Sequence, residues 1–209
     1  MKVIAVNGSP RKNWNTFMLL EKCLEGAEEI GAQTELVHLY DIHFKGCTSC
    51  FACKLKGNTV SKCVMKDDLE PLLQKIRECD VLILGSPIYF SSVTGEMRSF
   101  MERLFFPYTS YEGKPSSFGK KINTALIYTM NSPLSIVYAK LLRNNKKLMK
   151  RFFGNCEVLV STATYQFDDY SKYAMTYFDG KKRLKRRETV FVEDCKKAFV
   201  LGRKLCENK

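Results

Sequence analysis

No stretch of this 209-residue sequence approaches the roughly 18–20 consecutive apolar residues of a membrane helix, so no membrane span is expected. The N-terminus, Met1-Lys2-Val3-Ile4-Ala5-Val6 turning at Asn7-Gly8, lacks the long apolar region of a secretory leader, and a cytoplasmic location is the expectation. Internal repeats, low-complexity tracts and convincing domain boundaries are missing as well. Residues 1–209 therefore read as one domain, which is long enough to bury a real core. Histidine is scarce, at two residues. His38 reads as a strand residue and His43 as a surface residue, neither as a ligand. The loop after the first apolar run has neither the Gly-x-Gly-x-x-Gly of dinucleotide folds nor the Lys-Ser/Thr ending of a P-loop.

What is present is apolar content of 45% and a formal charge of +12. The first excludes a disordered chain. The second attracts phosphates, whether of nucleotides or of nucleic acids. Part of the excess sits in Lys181-Lys182-Arg183-Leu184-Lys185-Arg186-Arg187, which reads as a solvated loop. Nucleic-acid binding would need a recognition fold beside the charge, and none is visible. There are nine cysteines, an odd count that argues against a disulfide framework. Cys47, Cys50, Cys53 and Cys63 share one loop. The other five fall in predicted helices and strands, where buried thiols are ordinary.

Along the chain, strands and helices alternate. Lys2–Val6 is a short β-rich run. Phe17, Leu20, Leu24 and Ala27 then recur at helical spacing, with Gly31 as a stop. Thr34–Leu39 is a second strand, followed by a long irregular stretch over 41–66. Asp67-Asp68 opens a helix whose apolar face is Leu69, Leu72, Leu73 and Ile76. Val81–Gly85 is a continuous apolar run, as expected of a central parallel strand buried on both faces. Met97, Phe100, Met101, Leu104 and Phe105 mark a third helix and Ile122–Thr129 a fourth strand. A fourth helix runs from Leu134 to about residue 152, with apolar residues at 134, 137, 141 and 148. Val158–Ser161 is the fifth strand. An aromatic and basic excursion over 163–187 precedes a final helix striped by Val192, Cys195, Phe199, Gly202 and Cys206. Five βα units with apolar central strands predict a doubly wound α/β sheet.

After the first strand comes Asn7-Gly8-Ser9-Pro10-Arg11-Lys12-Asn13-Trp14-Asn15-Thr16. Ser9, Asn15 and Thr16 offer side-chain donors, Arg11 offers charge, and the N–H groups of the first helical turn face the same space. The loop is either a monophosphate site or a plain turn with an Asn or Thr helix cap. Ser-Pro-Arg followed by Asn-Thr at this place resembles the flavodoxin-like NADPH-dependent FMN reductases. The resemblance extends from residue 1 to about 160 and, more loosely, to the final helix. It implies a five-stranded parallel sheet of order 2-1-3-4-5 with helices on both faces, and FMN as cofactor with its phosphate on Ser9, Arg11, Asn15 and Thr16. Many relatives carry Gly where Trp14 stands, and Gly alone takes φ > 0 cheaply.

A second match, Gly85-Ser86-Pro87-Ile88-Tyr89-Phe90-Ser91-Ser92-Val93-Thr94-Gly95, follows the third strand, at the switch point where such sheets bind ligands. The resemblance implies that Pro87, Ile88, Tyr89, Phe90, Thr94 and Gly95 pass beside the flavin ring, with backbone N–H groups donating to its edge. Met130 and Asn131, after the fourth strand, would complete the ring site. No residue is nominated as a catalytic acid, base or nucleophile, because the cofactor carries the chemistry. The implied activity is an NAD(P)H-dependent reductase, with a quinone or another small molecule as acceptor. The same resemblance implies a homodimer or tetramer, since flavin sites of the family lie near subunit interfaces.

The spacing Cys47-x2-Cys50-x2-Cys53-x9-Cys63 resembles the compact motif of the iron–sulfur flavoproteins, in which four thiolates hold a [4Fe–4S] cluster. Its last spacing is longer than usual. A cluster, no metal at all, and zinc or redox thiols stay open here. Tyr165, Phe167, Tyr170, Tyr173, Tyr177 and Phe178 could form a lid, a substrate wall or a dimer arm, or pack on the final helix. Rival readings of the whole chain are an electron-transfer protein fed by a partner enzyme, a flavin-binding redox sensor without turnover, and a basic nucleic-acid module.

Overall fold

In the computed structural model, residues 1–56, 61–113, 116–175 and 177–207 are described. Strands β1 (Lys2–Asn7), β2 (Gln33–His38), β3 (Val81–Pro87), β4 (Ile122–Thr129) and β5 (Gly154–Ser161) form one sheet. Every neighbouring pair is parallel and the order is β2-β1-β3-β4-β5. The helices are α1 (Asn15–Glu28), α2 (Glu70–Glu78), α3 (Gly95–Phe105), α4 (Ala139–Phe153), α5 (Gly180–Glu188) and α6 (Val190–Glu207).

Successive strand residues point to opposite faces, and both faces are covered, so one strand feeds two cores. Ile4, Val6, Leu82 and Leu84 pack with Leu72, Ile76, Phe100, Leu104 and Phe153 of α2, α3 and α4. Val3, Ala5, Val81 and Ile83 pack with Leu20, Cys23, Ala198 and Leu205 of α1 and α6. That double burial is why β3 reads as an unbroken apolar run. The α1–α6 contact is close enough to demand glycine. A Cβ on Gly202 would overlap the Cys23 carbonyl, coming within 2.8 Å of its carbon, and one on Gly26 would do the same to Phe199.

Several boundaries differ from expectation. The helix expected from Leu134 begins as a 3-10 turn over Ser135–Tyr138 and becomes α-helical only at Ala139. Leu134 and Val137 are exposed, so the apolar stripe starts later. Asp67 does not open α2, which starts at Glu70. Its carboxylate forms instead a two-pronged pair with Arg103 of α3, at 2.7 and 3.1 Å. The basic run is not a solvated loop. It is α5, capped by Asp179, whose Oδ1 accepts from the N–H groups of Lys181 and Lys182, and it buries Arg183. Val192, expected on the inner stripe of α6, is exposed, while Phe191 and Asp194 are buried. Among the described residues no helix is long and apolar enough to cross a membrane.

Candidate functional site

From β1 the chain winds one way to β2 and the other way to β3. The loops after β1 and β3 therefore part at the C-terminal edge of the sheet and leave a crevice. Asn7, fully buried, builds the first loop. Its Oδ1 accepts from the Ser9 N–H at 3.0 Å and its amide nitrogen donates to His38 Nδ1 at 3.0 Å. The Ser9 hydroxyl accepts from the Arg11 N–H at 3.2 Å. Gly8 lies where β1, β3 and α3 meet: its N–H donates to the Gly85 carbonyl at 2.8 Å, its carbonyl accepts from the Thr94 hydroxyl at 2.6 Å, and an added Cβ would strike Met97.

The loop enters α1 at Trp14, with φ −120° and ψ −165°. This is extended backbone open to any residue, so glycine is not needed there. The first turn of α1 contains no acidic residue, leaving its N-terminal dipole free for an anion. Thr16 reaches across the crevice to β4, with 2.8 Å between its hydroxyl and that of Thr129.

The β3–α3 loop closes the other side. Tyr89 and Ser92 bond each other's backbone at 2.9 Å in both directions, and Phe90 and Ser91 both have positive φ, 47° and 62°. This is the tight mirror-image turn that normally takes glycine or asparagine. Phe90 sits at its tip with a fully exposed ring. The Ile88 N–H donates to the Thr129 carbonyl and the Tyr89 N–H to the Ser92 carbonyl, so these two donors are spent on the loop's own structure and not on a ligand edge.

One cleft results, lined by Ser9, Arg11, Asn15, Thr16, Pro87, Ile88, Tyr89, Met130 and Asn131 among the expected residues. Phe90, Thr94 and Gly95 are not in its lining. Thr94 is buried and caps α3, and Gly95 begins that helix in open space. Trp14, Thr129, Thr164 and Gln166 also line the cleft. Thr129 could have been found as the last residue of a predicted parallel strand. Thr164 and Gln166 carried no signal, because only the fold brings the segment after β5 over to the β1 loop. Asn131 adds a buried amide oxygen that has no hydrogen-bond partner among the described residues.

A family model for NADPH-dependent FMN reductases matches residues 1–130. The chain belongs to the NADPH-dependent FMN reductase family. An iron–sulfur flavoprotein of Archaeoglobus fulgidus is 42% identical over 103 residues, covering 49% of this chain and 48% of that protein. One from Methanocaldococcus jannaschii is 40% identical over 103 residues, covering 49% and 51%. The chain thus spans about half the length of the curated relatives it matches. Among solved structures, an NAD(P)H:quinone oxidoreductase from Methanothermobacter marburgensis superposes with a TM-score of 0.69 at 15% identity, over 98% of this chain and 96% of that one. That likeness is one of fold. The family match ends at Met130, so it includes the loops after β1 and β3 and stops before the 163–187 excursion.

FMN presents a phosphate monoester and a flat ring with N–H and carbonyl edges, and the cleft suits both. Donors, a cation and an acid-free helix N-terminus lie at one end. The unpartnered Asn131 oxygen can accept from a ring N–H.

In this member of the FMN reductase family the described residues of the cysteine loop pack on α3. Cys47, Cys50, Cys53 and Cys63 all line one small cavity with Phe51, Phe106 and Arg103. Arg103, with its side chain fully buried, donates Nε–H to the Cys63 sulfur at 3.0 Å and NH1 to the Lys45 carbonyl at 2.9 Å. Burial acts to raise the Asp67 carboxyl, but the Arg103 fork outweighs it and holds the group below the usual carboxylate range. Lys54 fastens the other end, its ammonium donating to the carbonyls of Phe106, Pro107 and Thr109. Burial pushes the Cys53 thiol up, against the pull of Lys54. Four thiols on one cavity are the donor type that a thiolate-bound cluster uses. As the loop stands, no three His, Cys, Asp or Glu side chains among the described residues form a group that could hold a metal ion.

Proposed function

We propose that the chain binds FMN in this cleft and acts as an NAD(P)H-dependent oxidoreductase that passes electrons to a quinone or another small acceptor. The observation that carries the reading is the convergence of the β1, β3 and β4 loops on one cleft at the switch point. Donors cluster at its α1 end and Met130 and Asn131 lie at its other side. When bound, the flavin supplies hydride acceptance and electron release.

The chain's own residues bind and orient. Ser9, Arg11, Asn15 and Thr16 hold the phosphate, with the first turn of α1 behind them. Pro87, Ile88, Tyr89, Met130 and Asn131 flank the ring. Phe90, Thr94 and Gly95 contribute as the rim and the base of the same loop. Buried Met130 and Ile88 keep water from the inner face of the ring site. Exposed Tyr89 and Phe90 leave its outer face open to a nicotinamide.

Cys47, Cys50, Cys53 and Cys63 would hold a [4Fe–4S] cluster, which supplies one-electron transfer. Their common cavity, together with the names of the archaeal relatives, supports this. Nine free cysteines suit a reducing cytoplasm, and we place the protein there. The exposed apolar side chains of Tyr89, Phe90, Leu134, Ile136 and Val137, on the loops after β3 and β4, suit a homodimer or tetramer built over the cleft.

The test is anaerobic purification followed by the absorption spectrum, iron and sulfide content, and quinone reduction by NADH and NADPH. The reading expects flavin bands and turnover that tracks bound FMN. A colourless protein that takes up no added FMN would refute it. Flavin without iron or sulfide would remove the cluster and leave the reductase. Flavin and cluster without nicotinamide turnover would favour a carrier fed by a partner enzyme.

A further inference from the structure

The segment after β5 and helix α5 lie beyond the residues matched by the family model, yet they hold the β1 loop and the start of α1 through several polar contacts. The Tyr165 carbonyl accepts from Trp14 Nε1 at 2.9 Å and from Asn15 Nδ2 at 2.8 Å. The Gln166 carbonyl accepts from Arg11. From α5, Arg187 donates NH1 to Asn15 Oδ1 at 2.5 Å and lies over the rings of Trp14 and Phe191, at 5.7 and 4.4 Å. Arg183 donates to the Asn131 carbonyl at 3.0 Å and is buried, with its NH1 unpartnered.

The Asn15 side-chain amide has a donor end and an acceptor end of nearly equal shape, and only the donor end can hold a phosphate oxygen. Arginine has no acceptor, so its contact with Oδ1 forces the Asn15 amide to present Nδ2 on the opposite side, where the Tyr165 carbonyl takes one of its two hydrogens and the other is left for a phosphate oxygen. Charge gives a second argument. Buried or half-buried cations are ordinarily paired. Arg186 has Asp194 at 2.8 Å. Arg183 and Arg187, and Arg11 in the cleft, have no carboxylate within salt-bridge distance among the described residues. Of these, Arg11 and Arg187 stand at the α1 end, beside Trp14 and Asn15, and two cations without acids there are the complement of a dianion.

We infer that Arg187 is a positioning residue for the cofactor phosphate: it sets the donor polarity of Asn15 and, with Arg11, supplies the counter-charge at that end of the cleft. The inference rests on the FMN reading of the cleft. It gives part of the basic run in α5 a role in ligand binding, distinct from solvation.

The test compares dissociation constants for FMN and for riboflavin, which lacks the phosphate, in the full chain and in its Arg187→Met and Arg187→Lys variants. Trp14 is the sole tryptophan and its fluorescence reports binding beside the loop. The wild-type chain should bind FMN more tightly than riboflavin. Arg187→Met should weaken FMN about tenfold or more, the loss expected for hydrogen bonds serving a charged group, and leave riboflavin unchanged. Arg187→Lys keeps the charge but not the planar fork and should fall between the two. It also serves if the Met variant does not fold. Equal weakening of both flavins would reduce Arg187 to a structural residue and overturn the inference, as would no change for either. Equal wild-type affinities would overturn it while leaving the flavin site standing. A wild-type chain that binds neither flavin would defeat the FMN reading itself.

Discussion

Replacing Gly202 by Ala tests how the fold presents the β1 loop. In an open helix Gly→Ala stabilises by about 1 kcal/mol through propensity. Gly202 is not in an open helix: the added methyl would meet the backbone carbonyl of Cys23 in α1, and backbone cannot rotate aside as a side chain can. Overpacking of this kind costs about 1–3 kcal/mol, and backbone against backbone belongs at the upper end. The net effect is a loss of about 2 kcal/mol, which in a chain of this size lowers the thermal midpoint by about 4–8 °C. Because α1 begins with Asn15 and Thr16, its displacement should also weaken FMN binding. The control is Gly95→Ala, at the start of α3, where an added methyl meets nothing within 4 Å. It should be neutral or slightly stabilising. Thermal unfolding by circular dichroism reads both variants. If Gly202→Ala melted at or above the wild-type temperature, the close α1–α6 approach would not be a real constraint.

Three further outcomes are expected. Removing Arg103 as Arg103→Met strands Asp67 and should cost about 3 kcal/mol, the low end for a broken buried pair because Asp67 keeps some exposure. The double variant with Asp67→Asn should recover part of it in urea unfolding, and no recovery would refute the pairing. Burial lowers the His38 pKa, and its Nδ1 accepts from Asn7, so the fold prefers the neutral ring. Stability should be full above the ordinary histidine range near 6.5 and decline as pH falls through it, because the unfolded chain takes up a proton that the folded chain resists. His38→Gln should flatten that slope, and an unchanged slope would refute the assignment. Phe90→Gly relieves a left-handed residue that costs about 1–2 kcal/mol, partly offset by glycine's entropy. It should raise the midpoint slightly while raising KM for the nicotinamide, and a lower midpoint would contradict the turn geometry.

The sheet is legible in the sequence because its strands are buried on two faces or end in loops of distinctive composition. Val81–Leu84 could be little else, and Asn7-Gly8-Ser9 marks a strand end that must turn beside another backbone. What escapes local reading depends on partners distant in sequence. Leu134 and Val137 have helical spacing, but nothing nearby covers them. Asp67 looks like a helix-opening acid until Arg103, 36 residues on, is brought alongside. The run from Lys181 to Arg187 is so polar that its helical character rests on the Asp179 cap, and the inward turn of Arg183 and Arg187 on loops more than 50 residues away. Within the candidate site, the β1 loop residues are recognisable from their donors, whereas Thr164 and Gln166 enter only through the crossing of the segment after β5. Thr94 lies in the expected neighbourhood but outside the cleft lining, and its hydroxyl joins the β1 loop to α3.

The measurement closest to the central claim is anaerobic rapid mixing of the FMN-loaded chain with one equivalent of NADPH or NADH. The flavin absorption should bleach completely with at least one of the two nucleotides, and at a rate no slower than steady-state turnover. Flavin that is held in the cleft but keeps its oxidised spectrum with both nucleotides would contradict the reductase account.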